Sequence, residues 1–396
     1  MSVPRGESPS KRQNPSDDET PRASHHKRIQ TPGSESSYSL SDQSRRSFQS
    51  SERSGRLSPQ KHMRTLKLNP KGVKFGDLSH SDDKPPSLEA LLETVDVIME
   101  GRGIVATSAR EALTLAARSH KDLKWACRGG DYFSDSPDIV GCTPPPEAVL
   151  SVMAAAAECS TCGHPEANWN LEVHQRVLEL AFRPQGQSIT TAAIMPEYGT
   201  PSPSKKVDFC IYIEPEIDFS WASTSPSSIA SFRDTLPGRV FNFTDFVPLD
   251  QRPIALSIES KKPSEGFDSA KLQLGVWQMA HWAFLRHLVE KRSAQVKAAD
   301  CAVDARSYGL PIFIPGIIIQ GHDWHLIITT LEGQQTLFWQ KVVIGSTSSS
   351  KGIYQIIRTL HILRQWASDT YWPWLRDLIL QGRGGCGGCG FAERLQ

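Results

Sequence analysis

The amino-acid sequence predicts an α/β chain, and three observations carry that reading. Two short apolar runs alternate as strands do: Val207, Phe209, Ile211 and Ile213 in the first, Ile254, Leu256 and Ile258 in the second. A helical stretch over 268–287 follows the second run. Three further β-rich segments, 312–320, 324–330 and 337–344, are divided by turn signals and lead into an amphipathic stretch over 351–367. Strands interleaved with helices at this spacing are what a layered α/β domain requires.

The bulk properties narrow the field. A chain of 396 residues accommodates one large domain or two ordinary ones. The formal net charge is +1, so no global basic field marks the chain as a nucleic-acid binder, although a metal ion can supply local positive potential. No apolar run is long enough to predict a transmembrane helix, and the N-terminus lacks the apolar segment of a secretory signal. Eight cysteines without a framework pattern suit a reducing compartment.

In chain order, 1–84 is rich in Ser, Arg, Lys, Pro and Asp and poor in large apolar residues, so a disordered arm is expected. It carries proline-directed phosphosite candidates at Ser8, Thr20, Thr31 and Ser58. The run His25-His26-Lys27-Arg28 reads as a solvated basic linker or a nuclear-import signal. From Pro85 the composition changes. Leu88, Leu91, Leu92, Val95 and Ile98 recur at helical spacing, with Ser87 as the expected N-cap. Further helices are expected over 108–120 and 146–157, with irregular chain over 121–146. These helices are expected to pack beside the sheet, because no linker divides them from it.

Cys159 and Cys162 have Cys-x-x-Cys spacing, repeated at Cys386 and Cys389. Free thiols are the expectation, a zinc site the alternative. A helix is expected over 166–182, and a strand over 189–196. The segment 214–252 reads as an excursion from the sheet, either a substrate-facing flap or a surface loop. In the helix over 268–287, with Asp268 or Ser269 as cap, Gln273, Trp277, Ala280 and Phe284 share one stripe that turns Gln273 toward the sheet. His322, Asp323 and His325 follow Gly321 and are read as a turn rather than a metal cluster. A short helix over 374–380 and a flexible Gly-rich tail, 381–396, end the chain.

The chemistry concentrates in the two runs named first. Glu259 and Lys261 are two residues apart and leave the same face of a strand, beside Asp208 at the head of its neighbour. Charges on a strand face need water, a metal or one another. An Asp208–Lys261 ion pair in a core without activity satisfies that need as well as a metal site does.

Asp208, then Glu259-Ser260-Lys261, then Gln273-Leu274-Gly275-Val276-Trp277 resembles the PD-(D/E)XK nuclease superfamily, in its RecB-like Gln-x-x-x-Tyr branch with Trp277 in place of Tyr. The chain looks most like the nuclease-like domain of many uncharacterised fungal proteins. Further similarity lies at Glu166-Ala167-Asn168-Trp169-Asn170 with Val173-His174, at Gln320-Gly321-His322-Asp323-Trp324, at Ile344-Gly345-Ser346-Thr347 and at Tyr371-Trp372-Pro373-Trp374. The likeness spans about 85–380. It implies a restriction-endonuclease-like α/β/α sandwich with a mixed central sheet, extra N-terminal helices and a disordered N-terminal arm. It also implies Mg²⁺ or Mn²⁺ held by Asp208, Glu259, the Ser260 carbonyl and Glu166. Lys261 would orient or deprotonate the attacking water and Gln273 would position water or substrate. The first-turn position of Glu166 is equally explained by the helix dipole. The implied substrate is nucleic acid, DNA foremost, with nuclear residence. The alternative is an inactive module of the same fold that binds nucleic acid or protein.

Overall fold

The computed structural model describes residues 58–77, 84–135, 143–183, 192–196, 207–215, 229, 232–244, 246–298 and 309–380. The phosphosite candidates Ser8, Thr20 and Thr31, the run 25–28, the Cys386–Cys389 pair and the tail 381–396 lie outside them.

Seven strands form one mixed sheet. They are β1 (Val73–Asp77), β4 (Ala192–Pro196), β5 (Phe209–Ile213), β6 (Ile254–Lys261), β7 (Ile314–Gln320), β8 (Asp323–Glu332) and β9 (Gln335–Ser346), in the order β1-β9-β8-β7-β6-β5-β4. Two two-residue strands, β2 (Val105–Ala106) and β3 (Phe133–Ser134), pair apart from it. Within the large sheet β1 runs parallel to β9 and β6 parallel to β7; the other pairs are antiparallel. Because side chains alternate along a strand, every central strand presents two apolar faces, and helices cover both. One face carries Phe209, Ile211, Leu256, Ile258, Ile317, Ile319 and Leu326. It packs against α2 (Pro86–Glu100), α4 (Pro146–Thr161), a helix over 166–182 (α5) and α7 (Ser350–Trp366). The other face packs against α6 (Phe267–Ala298) through Leu274, Trp277 and Trp282, with α8 (Trp372–Leu380) beside it. The expected α/β/α arrangement with a mixed central sheet is therefore the one observed.

Three expectations need correction. The arm is expected to extend to residue 84, but two segments within it are ordered elements. α1 (Pro59–Leu68) and β1 are folded parts of the domain. Ser58 caps α1, its hydroxyl accepting from the Lys61 N–H. Composition hid β1 because its five residues become a strand only by pairing with β9, more than two hundred residues later. The Phe75 ring packs 5.1 Å from that of Phe338. Gly275 lets α6 come close, since a Cβ there would sit 3.1 Å from the Phe75 ring. Second, the excursion 214–252 is partly core where it is described, although Asp234, Thr235 and Val247 are exposed. Ile229, Phe232, Leu236 and Phe241 are buried against α6 and α8. Third, helix bounds shift. The α2 cap position is Pro85 rather than Ser87, the helix expected over 108–120 is α-helical only over Arg110–Ala116 (α3), and α6 starts at Phe267, so Asp268 lies inside its first turn.

The expected turn at His322-Asp323 is present: Gly321 adopts φ +57, and a Cβ there would lie 2.4 Å from Pro263. His322 packs against the Trp169 ring of α5, whereas His325 faces Phe267 of α6, so the two diverge across the sheet. The thiols of Cys159 and Cys162 are free.

A chain lacking residues 1–84 should therefore melt well below the full chain, because it loses a sheet strand. As a point test, Val73 is fully buried, and Val73→Ala should cost about 1.5 kcal/mol for the two methyl groups removed, read by urea unfolding. Unchanged stability in both experiments contradicts the placement of β1.

Candidate active site

The residues singled out in the sequence meet at one end of the sheet. β6 ends in Glu259-Ser260-Lys261, and its register with β7 aligns Glu259 with Ile318 and Lys261 with Gln320. Ser257, on the same strand face as Glu259 and Lys261, accepts the Trp277 indole N–H at 2.9 Å, so that face looks toward α6. α6 starts near the end of β6 and runs back along it. Gln273, half-buried one turn before Trp277, therefore stands toward the Glu259–Lys261 end. β5 brings Asp208. Its N–H donates to the Ile258 carbonyl at 3.0 Å, and its Oδ2 accepts from the Ser260 N–H at 2.7 Å and from the Ser260 hydroxyl at 2.8 Å.

Glu166 arrives from the first turn of α5, 3.4 Å from Lys261 Nζ. Lys261 Nζ also lies 2.6 Å from Glu259 Oε1 and donates to the Ser260 carbonyl at 2.7 Å. One ammonium is thus shared by Glu166, Glu259 and a main-chain carbonyl, with Asp208 close behind.

Charge is crowded here. Glu259 is fully buried, and its Oε2 has no hydrogen-bond donor among the described residues. Burial first, and then the Asp208 charge, push its carboxyl above the usual range against the pull of Lys261. Burial likewise pushes Glu166 up to about 7, with Lys261 opposing and Asp208 and Glu265 assisting. Burial alone would lower the Lys261 ammonium, but Glu259, Glu166 and Asp208 together hold it above its ordinary value, and it stays charged. Among the described residues no group of three or more His, Cys, Asp or Glu is placed to hold a metal ion as it stands. Lys261 occupies the space between the carboxylates.

Two contributors, Asn170 and His174, entered the sequence reading only as part of the family likeness and were given no role there. α5 is α-helical over Glu166–Trp169, makes a π turn over Asn170–His174 and is α-helical again over Gln175–Phe182. The turn aims Asn170 and His174 at the sheet. The Asn170 amide lies 2.7 Å from Ser260 Oγ, and His174 Nε2 lies 3.1 Å from the Gly321 carbonyl. Burial pushes the His174 imidazole down to about 4 despite the Gly321 carbonyl. The available signal was two hydrogen-bonding residues four apart on a helix face otherwise filled by Trp169, Val173 and Val177.

Two outcomes follow. Lys261→Met leaves buried carboxylates without their counter-ion and should destabilise the metal-free chain by about 3–5 kcal/mol in urea unfolding. The Glu166 carboxyl has a folded pKa raised above its unfolded value. Its ionisation therefore opposes folding, and that stability is lost as pH rises from about 4.5 through about 7. Glu166→Gln should gain stability relative to the parent across that window, and parallel pH profiles would refute the assignment.

The chain was compared with known proteins. A model of the PD-(D/E)XK nuclease superfamily matches residues 114–372. No curated protein and no solved structure matches. The matched span begins after β1 and α2 and contains Glu166, Asp208, Glu259, Lys261 and Gln273. Members of that superfamily act on nucleic acid and generally use divalent metals. With more than half of the chain matched, on a mixed α/β sandwich, the chain belongs to the PD-(D/E)XK nuclease superfamily.

Proposed function

We propose that the chain is a metal-dependent nuclease that hydrolyses phosphodiester bonds, with DNA as the foremost substrate. The carrying observation is the convergence of Asp208, Glu259, Glu166 and Lys261 at one end of the sheet, with carboxylates outnumbering ammonium groups.

The donor set fits a hard divalent cation. It consists of carboxylate and carbonyl oxygens, includes a buried carboxylate oxygen with no donor among the described residues, and sets three carboxyl groups around one ammonium. Asp208, Glu259, Glu166 and the Ser260 carbonyl would hold Mg²⁺ or Mn²⁺. When bound, such an ion neutralises phosphoryl oxygens and acidifies a bound water. The protein's own groups do the rest. Ser260 fixes Asp208 through two donors. Lys261, kept protonated by its neighbours, is suited to stabilise charge on a phosphoryl oxygen and to orient water rather than to remove its proton. Gln273 would position water or substrate from the start of α6.

One observation favours a second reading. The 2.6 Å contact between Lys261 and Glu259 is an internal ion pair that gives each group a counter-charge without a metal. It suits an inactive module of the same fold that binds nucleic acid or protein.

A cleavage assay separates the two. The full chain is offered linear, circular and single-stranded DNA and RNA with Mg²⁺, Mn²⁺ or EDTA. Cutting is expected only with metal. Lys261→Ala, checked for folding by circular dichroism, should cut at least about 100-fold more slowly, and Asp208→Asn should abolish Mn²⁺ binding by calorimetry. No cutting and no metal binding together would sink the enzyme and leave the binding module.

A further inference from the structure

Asp208 is held from behind by a chain of hydrogen bonds whose direction proton counting decides. His174 Nε2 lies 3.1 Å from the Gly321 carbonyl, which can only accept. That nitrogen therefore carries a proton. A fully buried, neutral imidazole has one N–H, which leaves Nδ1 as an acceptor. Nδ1 lies 3.0 Å from the Asn170 Oδ1 position, and the same position lies 2.7 Å from Ser260 Oγ. The Ser260 hydroxyl has one proton, and the Asp208 carboxylate, 2.8 Å away, can only accept it. An amide oxygen at that position would face an acceptor nitrogen and a hydroxyl with no proton left to give. The count therefore puts the NH₂ group there, since the two ends of an amide have nearly the same shape.

We propose that Asn170 and His174 are positioning residues for Asp208. The Asn170 amide donates one proton to His174 Nδ1 and the other to Ser260 Oγ, which commits the only Ser260 hydroxyl proton to Asp208 Oδ2. The proposal rests on the reading of Asp208 as a metal ligand.

The surroundings are built for this. The π turn of α5 brings Asn170 and His174 to the sheet together, and such turns recur at functional sites. The His174 ring lies between Trp169, stacked at 5.8 Å, and Trp324, edge-on at 5.9 Å, both buried, so water has little access. At the far end the Gly321 N–H donates to the Lys261 carbonyl at 2.8 Å. The same turn residue that anchors His174 thus anchors the main chain of Lys261, and one network fixes both sides of the site. Partners of this kind orient ligand carboxylates in metal sites.

Two measurements on the full chain test the proposal. The first is ¹⁵N NMR of histidine-labelled protein, with the His174 signal assigned by its loss in His174→Gln. The expected state at neutral pH is the Nε2–H tautomer, and Asn170→Asp should force a proton onto Nδ1. An Nδ1–H tautomer or an imidazolium in the parent overturns the proposal. The second is Mn²⁺ affinity by calorimetry, expressed per folded molecule. Asn170→Ala and His174→Phe should each weaken it about 10- to 100-fold, the double variant by less than the product, and His174→Gln, which can still accept and donate, by less than His174→Phe. Unchanged affinity with lowered melting midpoints means a structural role only and overturns positioning. A parent chain that binds no Mn²⁺ removes the metal-site reading and the positioning role with it, while the tautomer still reports the hydrogen-bond chain separately.

Discussion

The end of the sheet is governed by the crowding of three carboxyl groups around one buried ammonium. Lys261 stands among Glu259, Glu166 and Asp208, and moving such groups out of water is costly unless each finds a partner. Much of the local architecture answers that need. The Ser260 N–H and hydroxyl satisfy Asp208, the Ser260 carbonyl takes a proton of Lys261, and the Gly321 turn ties down the Lys261 main chain. What stays unanswered among the described residues is one oxygen of Glu259, while burial, with the Asp208 charge adding to it, pushes two glutamate carboxyls upward.

The fold delivers these groups from elements far apart in the sequence. Glu166 comes from the first turn of a helix that covers one face of the sheet, while Glu259 and Lys261 point toward the helix that covers the other. They meet only because β6 ends there, and because Lys261 is long enough to reach around the end of the strand to both. The distant parts of the chain supply rigidity. β1 closes the sheet beside β9 and packs under Gly275 of α6, and the buried part of 214–252 fills the space between α6 and α8.

The sequence by itself determined the layered α/β class, the strands at Phe209–Ile213 and Ile254–Lys261 and the helix after them, because alternation and helical spacing are local properties that survive without a partner. It also singled out Asp208, Glu259 and Lys261, since charge at the end of an apolar strand is conspicuous in any context. Tertiary structure alone decided the rest. Val73–Asp77 is a strand only because β9 pairs with it, and part of 214–252 is core only because Ile229, Phe232, Leu236 and Phe241 find α6 and α8. Asn170 and His174 look like ordinary polar helix residues until the π turn sets them against Ser260 and Gly321. Pairing, burial and proton direction are relations between distant residues, and no window on the sequence contains both ends of them.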